Sequence, residues 1–171
     1  MHIRQEDSER HVLSVTVDNE AGILARIAGL VSARGYNIES LTVADVSEDH
    51  KISRITIVTN GPPRVIDQII AQLDRLVPVH QVVDLTDTGP FVERELALVK
   101  VAGTGEHRIE ALRLADVFRA KVVDTTLTSF VFEITGPSTK IDTFVGLMRE
   151  LGLVEIGRTG VVGMLRGVTA A

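Results

Sequence analysis

The residues in this chain best suited to chemistry lie between Asp18 and Leu41, where two asparagines and a glycine flank a helix-like segment. Asn19 and Gly22 fall where a strand-like run hands over to an amphipathic one. The first amides of a helix have no intrahelical partners and its dipole favours negative charge, so a free carboxylate suits that position. Gly22 lacks a Cβ and lets a ligand approach the backbone closely. Asn37 leads the next strand and can offer an acceptor to an ammonium or a donor to a carboxylate. The chemistry is that of holding a small polar molecule, not of making bonds. On residue types alone, Asn19 as a plain turn or cap residue and Asn37 as a strand starter fit equally well.

Other candidates point elsewhere or nowhere. Gly103-Thr104-Gly105 follows a strand-like run and precedes a helical one, with Asp124 about 20 residues on, as in a dinucleotide fingerprint. Arg108 stands at the third glycine position, however, and the remaining chain is too short for a doubly wound sheet. His2, His11, His50, His80 and His107 show no metal-ligand spacing and read as surface or edge residues. Gly136-Pro137-Ser138-Thr139-Lys140 lacks phosphate-loop spacing and reads as a turn with Ser138 as a helix cap. Glu93-Arg94-Glu95 fits a charged strand edge or a subunit contact. There is no Gly-x-Ser-x-Gly elbow, and no carboxylate sits in an apolar run that would raise its pKa. Neither a catalytic site nor a metal site is expected.

The elements that must position Asn19, Gly22 and Asn37 follow from periodicity. Val12 to Val17 alternates, with Leu13, Val15 and Val17 on one face. Ile23, Ile27, Leu30 and Val31 recur at helical spacing, and Gly35 suits a left-handed helix end. Strand character returns from Asn37 to Val46, with Ile38 out of phase with Leu41 and Val43, which predicts a bulge or a strand buried on both faces. Ser47 to His50 reads as a hairpin turn into Ile52–Thr59, and Asn60-Gly61-Pro62-Pro63 ends that strand and starts a helix. Val79 to Leu85 completes a β-α-β-β-α-β order, the ferredoxin-like arrangement. Its second sheet face would be bare in a monomer, which calls for a dimer or a packed neighbour.

The pattern then recurs. Leu96–Ala102 is a strand; Ile109, Leu112, Ala115 and Phe118 mark a helix. Lys121–Thr128 and Ser129–Thr135 pair, a helix follows from Ser138, and Val154–Ile156 closes the set before a glycine-rich tail. The fold class is α+β, two tandem ferredoxin-like βαββαβ domains. The expected boundaries are a tail at 1–10, a first domain at 11–85, a linker at 86–95 and a second domain at 96–171.

Composition narrows the function. A hydrophobic fraction of 44% and mean hydropathy of +0.21 supply a core, while no apolar run is long enough to span a membrane. The polar first ten residues do not read as a secretory signal, and the absence of cysteine fits a reducing cytoplasm. A net charge of −5 without a basic run, and only 4% aromatics without Trp, argue against nucleic acid as partner.

With those residues in view, the chain resembles the small, regulatory subunits of acetolactate synthase (acetohydroxyacid synthase), from about His11 to Gly167. The motifs that carry the resemblance are Asp18-Asn19-Glu20-Ala21-Gly22-Ile23-Leu24-Ala25-Arg26 and Arg34-Gly35-Tyr36-Asn37-Ile38-Glu39-Ser40-Leu41-Thr42-Val43. Ser53 to Val58, Val92 to Val101 and Arg158-Thr159-Gly160-Val161-Val162-Gly163 agree as well. The polar start and Asp18, where many relatives have Glu, depart from the pattern.

The resemblance implies an N-terminal ACT domain, an amino-acid-sensing ferredoxin-like module, and a non-catalytic chain with no cofactor of its own. Its implied partner is a large catalytic subunit holding thiamine diphosphate, Mg²⁺ and FAD, which it activates and makes sensitive to valine, in valine, leucine and isoleucine biosynthesis. The effector is implied to sit between the ACT domains of a homodimer, with Asn19, Gly22, Ile23 and Leu24 from one chain and Asn37 and Ile38 from the other. An ACT protein serving another pathway and a small nucleotide-dependent enzyme are the competing readings.

Overall fold

The computed structural model describes residues 8–33, 35–168 and 170–171. Two compact units divide the chain: one runs to Val92 and takes up Val161–Ala171 again, and the other is Glu93–Gly160.

The first unit begins with β1 (Glu9–Asp18), α1 (Ile23–Ser32), β2 (Ile38–Asp45), β3 (Ile52–Gly61), α2 (Pro63–Leu73) and β4 (Val79–Asp84). The strands form an antiparallel sheet in the order β2-β3-β1-β4. Leu13, Val15 and Val17 alternate onto one face with Ile55 and Ile57, where Ile23, Ile27 and Val31 of α1 and Ile66, Ile69 and Leu73 of α2 cover them. The expected phase break in β2 is a register shift between Ile38 and Ser40. Gly35, at φ 76°, makes the left-handed turn after α1, its amide donating to the Ser32 carbonyl at 3.0 Å. Pro62 precedes α2 in extended conformation and Pro63 opens it, where a missing amide costs nothing.

Three expectations for this unit change. Of the expected tail, Glu9 and Arg10 already belong to β1, and residues 1–7 lie outside the described residues. The expected linker holds a short helix, α3 (Leu85–Thr88), and the start of β5 (Phe91–Ala102). Finally, Val161–Ala171 belongs to the first unit, not the second.

The face of the sheet away from α1 and α2 is therefore not bare. Val12 and Val58 pack there with Leu85, Val161 and Leu165, and Ser14 and Thr56 are buried beside them. The chain end is held by polar contacts too. Val161 donates its amide to Ser40 Oγ at 2.8 Å and accepts from Thr42 Oγ1 at 2.9 Å, and Arg54 donates to the Ala171 carbonyl at 2.8 Å. Within β9 (Val162–Leu165), Gly163 packs so close to α3 that a Cβ would meet Leu85 Cδ1 at 2.6 Å, with Val12 of β1 at 3.4 Å. Two glycines and a four-residue strand hid this alternation from a periodicity reading.

The second unit repeats the order with β5, α4 (Gly105–Val117), β6 (Lys121–Thr125), β7 (Ser129–Gly136), α5 (Ser138–Glu150) and β8 (Leu153–Arg158), in the sheet order β6-β7-β5-β8. Its core sets Phe130, Phe132 and Ile134 against Ile141, Phe144 and Met148, with Phe132 and Phe144 edge to face. The face of α4 differs from expectation. Ala111 and Ala115 are buried with Leu114 and Phe118 against them, while Ile109 and Leu112 are 67% and 39% exposed. A helix apolar on several sides gives periodicity no unique answer.

Glu95 is neither a strand-edge charge nor an exposed contact. It is buried, accepting from Arg158 Nε at 2.6 Å and Nη2 at 2.8 Å, and from the Ser138 hydroxyl at 3.2 Å. Ser138 thus serves Glu95, while Pro137 occupies the N-cap position of α5. These bonds to Glu95 hold the Arg158 guanidinium above even its ordinary pKa, against the opposing effect of burial.

Two stability changes follow from these contacts. Leu165→Ala removes a nearly buried side chain from the second face and is expected to cost about 2–3 kcal/mol. It should speed hydrogen exchange in β1 and β3; wild-type protection there would contradict this role for the chain end. Arg158→Ala leaves a buried carboxylate with one hydroxyl partner. Because Arg158 is itself partly exposed, the expected loss is about 2 kcal/mol, below the usual cost of breaking a buried pair. Urea unfolding followed in the second unit measures it, and an unchanged midpoint would show that the pair contributes nothing.

Candidate functional site

Asn19 follows the last residue of β1 at a crowded corner. Its backbone amide donates to the Lys51 carbonyl at 2.7 Å, and its side-chain Nδ2 donates to Asp45 Oδ1 and to the His50 carbonyl, both at 2.9 Å. Asp45 also accepts from Ser53 Oγ at 3.1 Å and pairs through Oδ2 with His50 Nδ1 at 3.0 Å. The hairpin beneath is braced by Asp49, whose carboxyl is held below the usual carboxylate range by the Ser47 hydroxyl and then the Lys51 amide. Asn19 is a turn residue, and it is also an exposed amide fixed from one side.

Gly22 is the N-cap residue of α1, with φ 86° in the left-handed region, where only glycine is at ease. A Cβ there would meet nothing within 4 Å, so the backbone lies open to an approaching molecule. The Ile23 amide reaches the Glu20 carbonyl at 3.4 Å. Among the described residues, no acceptor faces the amides of Leu24 and Ala25. The Leu24 side chain is 39% exposed. Ile23 departs from expectation: its side chain is 6% exposed and part of the core, so it offers a ligand backbone only.

Asn37 and Ile38 stand at the other end of the sheet. The Asn37 carbonyl accepts from Thr59 Oγ1 at 2.9 Å, its side chain is exposed, and Ile38 is half-buried opposite Thr59. Asp18 pairs with Ile52 and Ile38 with Thr59, so β3 carries the two groups at opposite ends. At about 3.3 Å per residue, the span from Ile52 to Thr59 is about 23 Å. One chain brings Asn19, Gly22 and Leu24 together and keeps Asn37 and Ile38 away.

The other candidates resolve simply. β6 and β5 are not neighbours but flank β7, each antiparallel to it, so Asp124 stands on an edge strand with β7 between it and β5. The Gly103 amide donates to the Thr128 carbonyl, and Arg108 stacks 3.9 Å from the centre of the Phe130 ring. This loop is not a nucleotide crevice.

His11 is fully buried, contrary to the surface reading, with Nδ1 2.6 Å from Asp84 Oδ2. Asp84, between Val83 and Leu85, is a buried carboxylate that sequence reading missed, its partner lying far away in the chain. Asp87 stands near enough for the three to hold an ion in principle. With Nδ1 facing Asp84, and Asp84 Oδ1 taking the Thr86 amide at 2.9 Å, the group reads as a buried hydrogen-bonded pair. No helix among the described residues is long and apolar enough to cross a membrane.

Comparison with known proteins agrees with this architecture in both units. A model of the acetohydroxyacid synthase small-subunit-like ACT domain matches residues 13–81, and one of the small subunit of acetolactate synthase matches residues 94–167. A probable acetolactate synthase small subunit from Archaeoglobus fulgidus is 44% identical, over 92% of this chain and 98% of that protein. The acetolactate synthase isozyme 3 small subunit of Escherichia coli is 45% identical, over 92% of this chain and 96% of that one. The crystal structure of the acetolactate synthase small subunit from Thermotoga maritima superposes with a TM-score of 0.83 at 37% identity, covering 94% of this chain and 99% of that one. The chain belongs to the acetolactate synthase small-subunit family.

Proposed function

We propose that this protein is a non-catalytic regulatory subunit of acetolactate synthase that binds a large catalytic subunit, activates it and makes it sensitive to valine. In this reading thiamine diphosphate, Mg²⁺ and FAD belong to the catalytic partner, and the complex serves branched-chain amino-acid synthesis in the cytoplasm. Valine sits between the ACT domains of a homodimer, with Asn19, Gly22, Leu24 and the backbone of Ile23 from one chain and Asn37 and Ile38 from its partner.

One observation carries the shared site. Among the described residues β2 pairs only with β3, so it is a free edge, and its two ends are Ile38 and Asp45. Antiparallel pairing of two β2 edges about a two-fold axis would set the Asn37 end of one chain beside the Asp45 end of the other. Asn19 is bonded to that Asp45. The half-sites that one chain holds apart would meet in the dimer. The second sheet face, covered by the chain's own end, no longer argues for dimerisation; the edge does.

Within such a site the Leu24 and Ala25 amides suit the valine carboxylate, the asparagines suit its ammonium, and Leu24 and Ile38 supply apolar walls for the isopropyl group. Regulation then requires different affinities in the activating and inhibited arrangements, about 1–3 kcal/mol in typical systems. Leucine and isoleucine, one methylene larger, are expected to be weaker effectors.

Reconstitution with the catalytic subunit tests this reading. The wild-type chain should raise the rate and bring valine inhibition. Asn37→Ala leaves the backbone carbonyl that Thr59 binds, so the variant should still activate, while half-inhibition needs about tenfold more valine or greater. An unchanged valine titration would remove Asn37 from the site, and a wild-type complex indifferent to valine would overturn the proposal.

A further inference from the structure

The bonds around Asn19 fix more than its position. Its Nδ2 carries two hydrogens, and both face groups that can only accept, the Asp45 carboxylate and the His50 carbonyl, each at 2.9 Å. The amide cannot be turned over without placing its own oxygen against two other oxygens. Oδ1 is therefore turned away from these two acceptors, and Asn19, three residues before the N-cap Gly22 of α1, is left with an acceptor to offer and no donor. Asp45 is held in turn: Ser53 donates to the same oxygen at 3.1 Å, and His50 Nδ1 lies 3.0 Å from the other. Nothing in this arrangement needs the ligand to be present.

From this we infer that Asp45 is a positioning residue which, through Asn19, makes the effector site select amino acids over 2-oxo acids of the same side chain. The inference rests on the effector site proposed above and adds its polarity. The unpaired Leu24 and Ala25 amides take a carboxylate, which both classes possess. The fixed Asn19 oxygen rewards an ammonium and faces a ketone oxygen with repulsion. Discrimination thus arises from a choice of amide orientation that the Asp45 carboxylate and the His50 carbonyl impose on an exposed side chain. Such a distinction has use in a regulator: an amino acid and its 2-oxo precursor share carboxylate and side chain, and only the amine identifies the finished product.

Calorimetric titration of the full chain with valine and separately with 3-methyl-2-oxobutanoate tests this, using wild type, Asp45→Ala, Asp45→Asn and Asn37→Ala. Wild type should bind valine at least tenfold more tightly than the oxo acid. Asp45→Ala frees the Asn19 amide to turn over, so valine affinity should fall about tenfold and the preference for valine should narrow toward equality. Asp45→Asn can still turn its own oxygen to Asn19 and Ser53, and should keep most of both. Mere loosening of the hairpin would weaken both ligands together and leave their ratio unchanged; an Asp45→Ala ratio equal to wild type therefore overturns the inference. The proposed effector site is tested separately in the same series. If wild type binds valine and Asn37→Ala does not, the site stands whatever Asp45→Ala shows, whereas no wild-type valine binding removes the site and this inference with it.

Discussion

The antiparallel register between β1 and β3 is the constraint on which the first unit turns. Glu9 faces Gly61 and Asp18 faces Ile52 without a break across the whole length of both strands. Leu13, Val15 and Val17 are locked against Ile55 and Ile57 by it, since a slip of one residue would turn that apolar set away from α1 and α2. The same register delivers Asn19 to the end of the sheet where the β2–β3 hairpin can hold its side chain, and leaves Asn37 beside Thr59 at the far end. The hydrophobic core and the separation of the two half-sites are one geometric fact.

Around this frame, buried polar groups act as fasteners. His11 and Asp84 tie β1 to the end of β4, and Asp84 caps α3 through the Thr86 amide. The chain end crosses the second sheet face, where Val161 donates to Ser40 and accepts from Thr42 on β2, the strand that starts next to Asn37. An isolated buried carboxylate or imidazole is costly, and the His11 Nδ1–Asp84 contact joins two such groups across 73 positions, although His11 Nε2 stays buried with no hydrogen-bond partner among the described residues. In the second unit, Glu95 plays the corresponding part between Arg158 and Ser138.

Periodicity made the β-α-β-β-α-β order of both units legible, and even the bulge near Ile38, because each strand buries alternate residues on one face. Pro62, Pro63 and Gly35 marked element ends through backbone limits that are local to them. What sequence reading missed was non-local. His11 looked like a surface histidine because Asp84 is 73 positions away. Glu95 looked like an edge charge because Arg158 is 63 positions away. The α4 face was misassigned because Ile109, Leu112 and Val117 are apolar yet exposed. The placement of Val161–Ala171 with the first unit could not be seen, since a short glycine-containing strand, here paired with β5, carries no record of which apolar face it will cover. For the candidate site, Asn19, Gly22 and Asn37 stood out by type, while the side chain of Ile23 lies in the core, as its periodicity indicates, and leaves its backbone to face a ligand. Asp45 gave no signal at all, because its importance lies in which atom of Asn19 it holds.

The central claim is that the effector site takes Asn19 from one chain and Asn37 from another, and complementation between two defective chains tests it most directly. Asn19→Ala and Asn37→Ala chains, each carrying a different tag, are mixed so that a mixed dimer can be isolated, and valine binding is titrated. The account predicts that each homodimer binds poorly while the mixed dimer recovers one wild-type site in two, because one site then combines Asn19 and Asn37 from intact positions. A mixed dimer that binds no better than either parent, with both homodimers impaired, would place the two residues in a single chain's site and contradict the account.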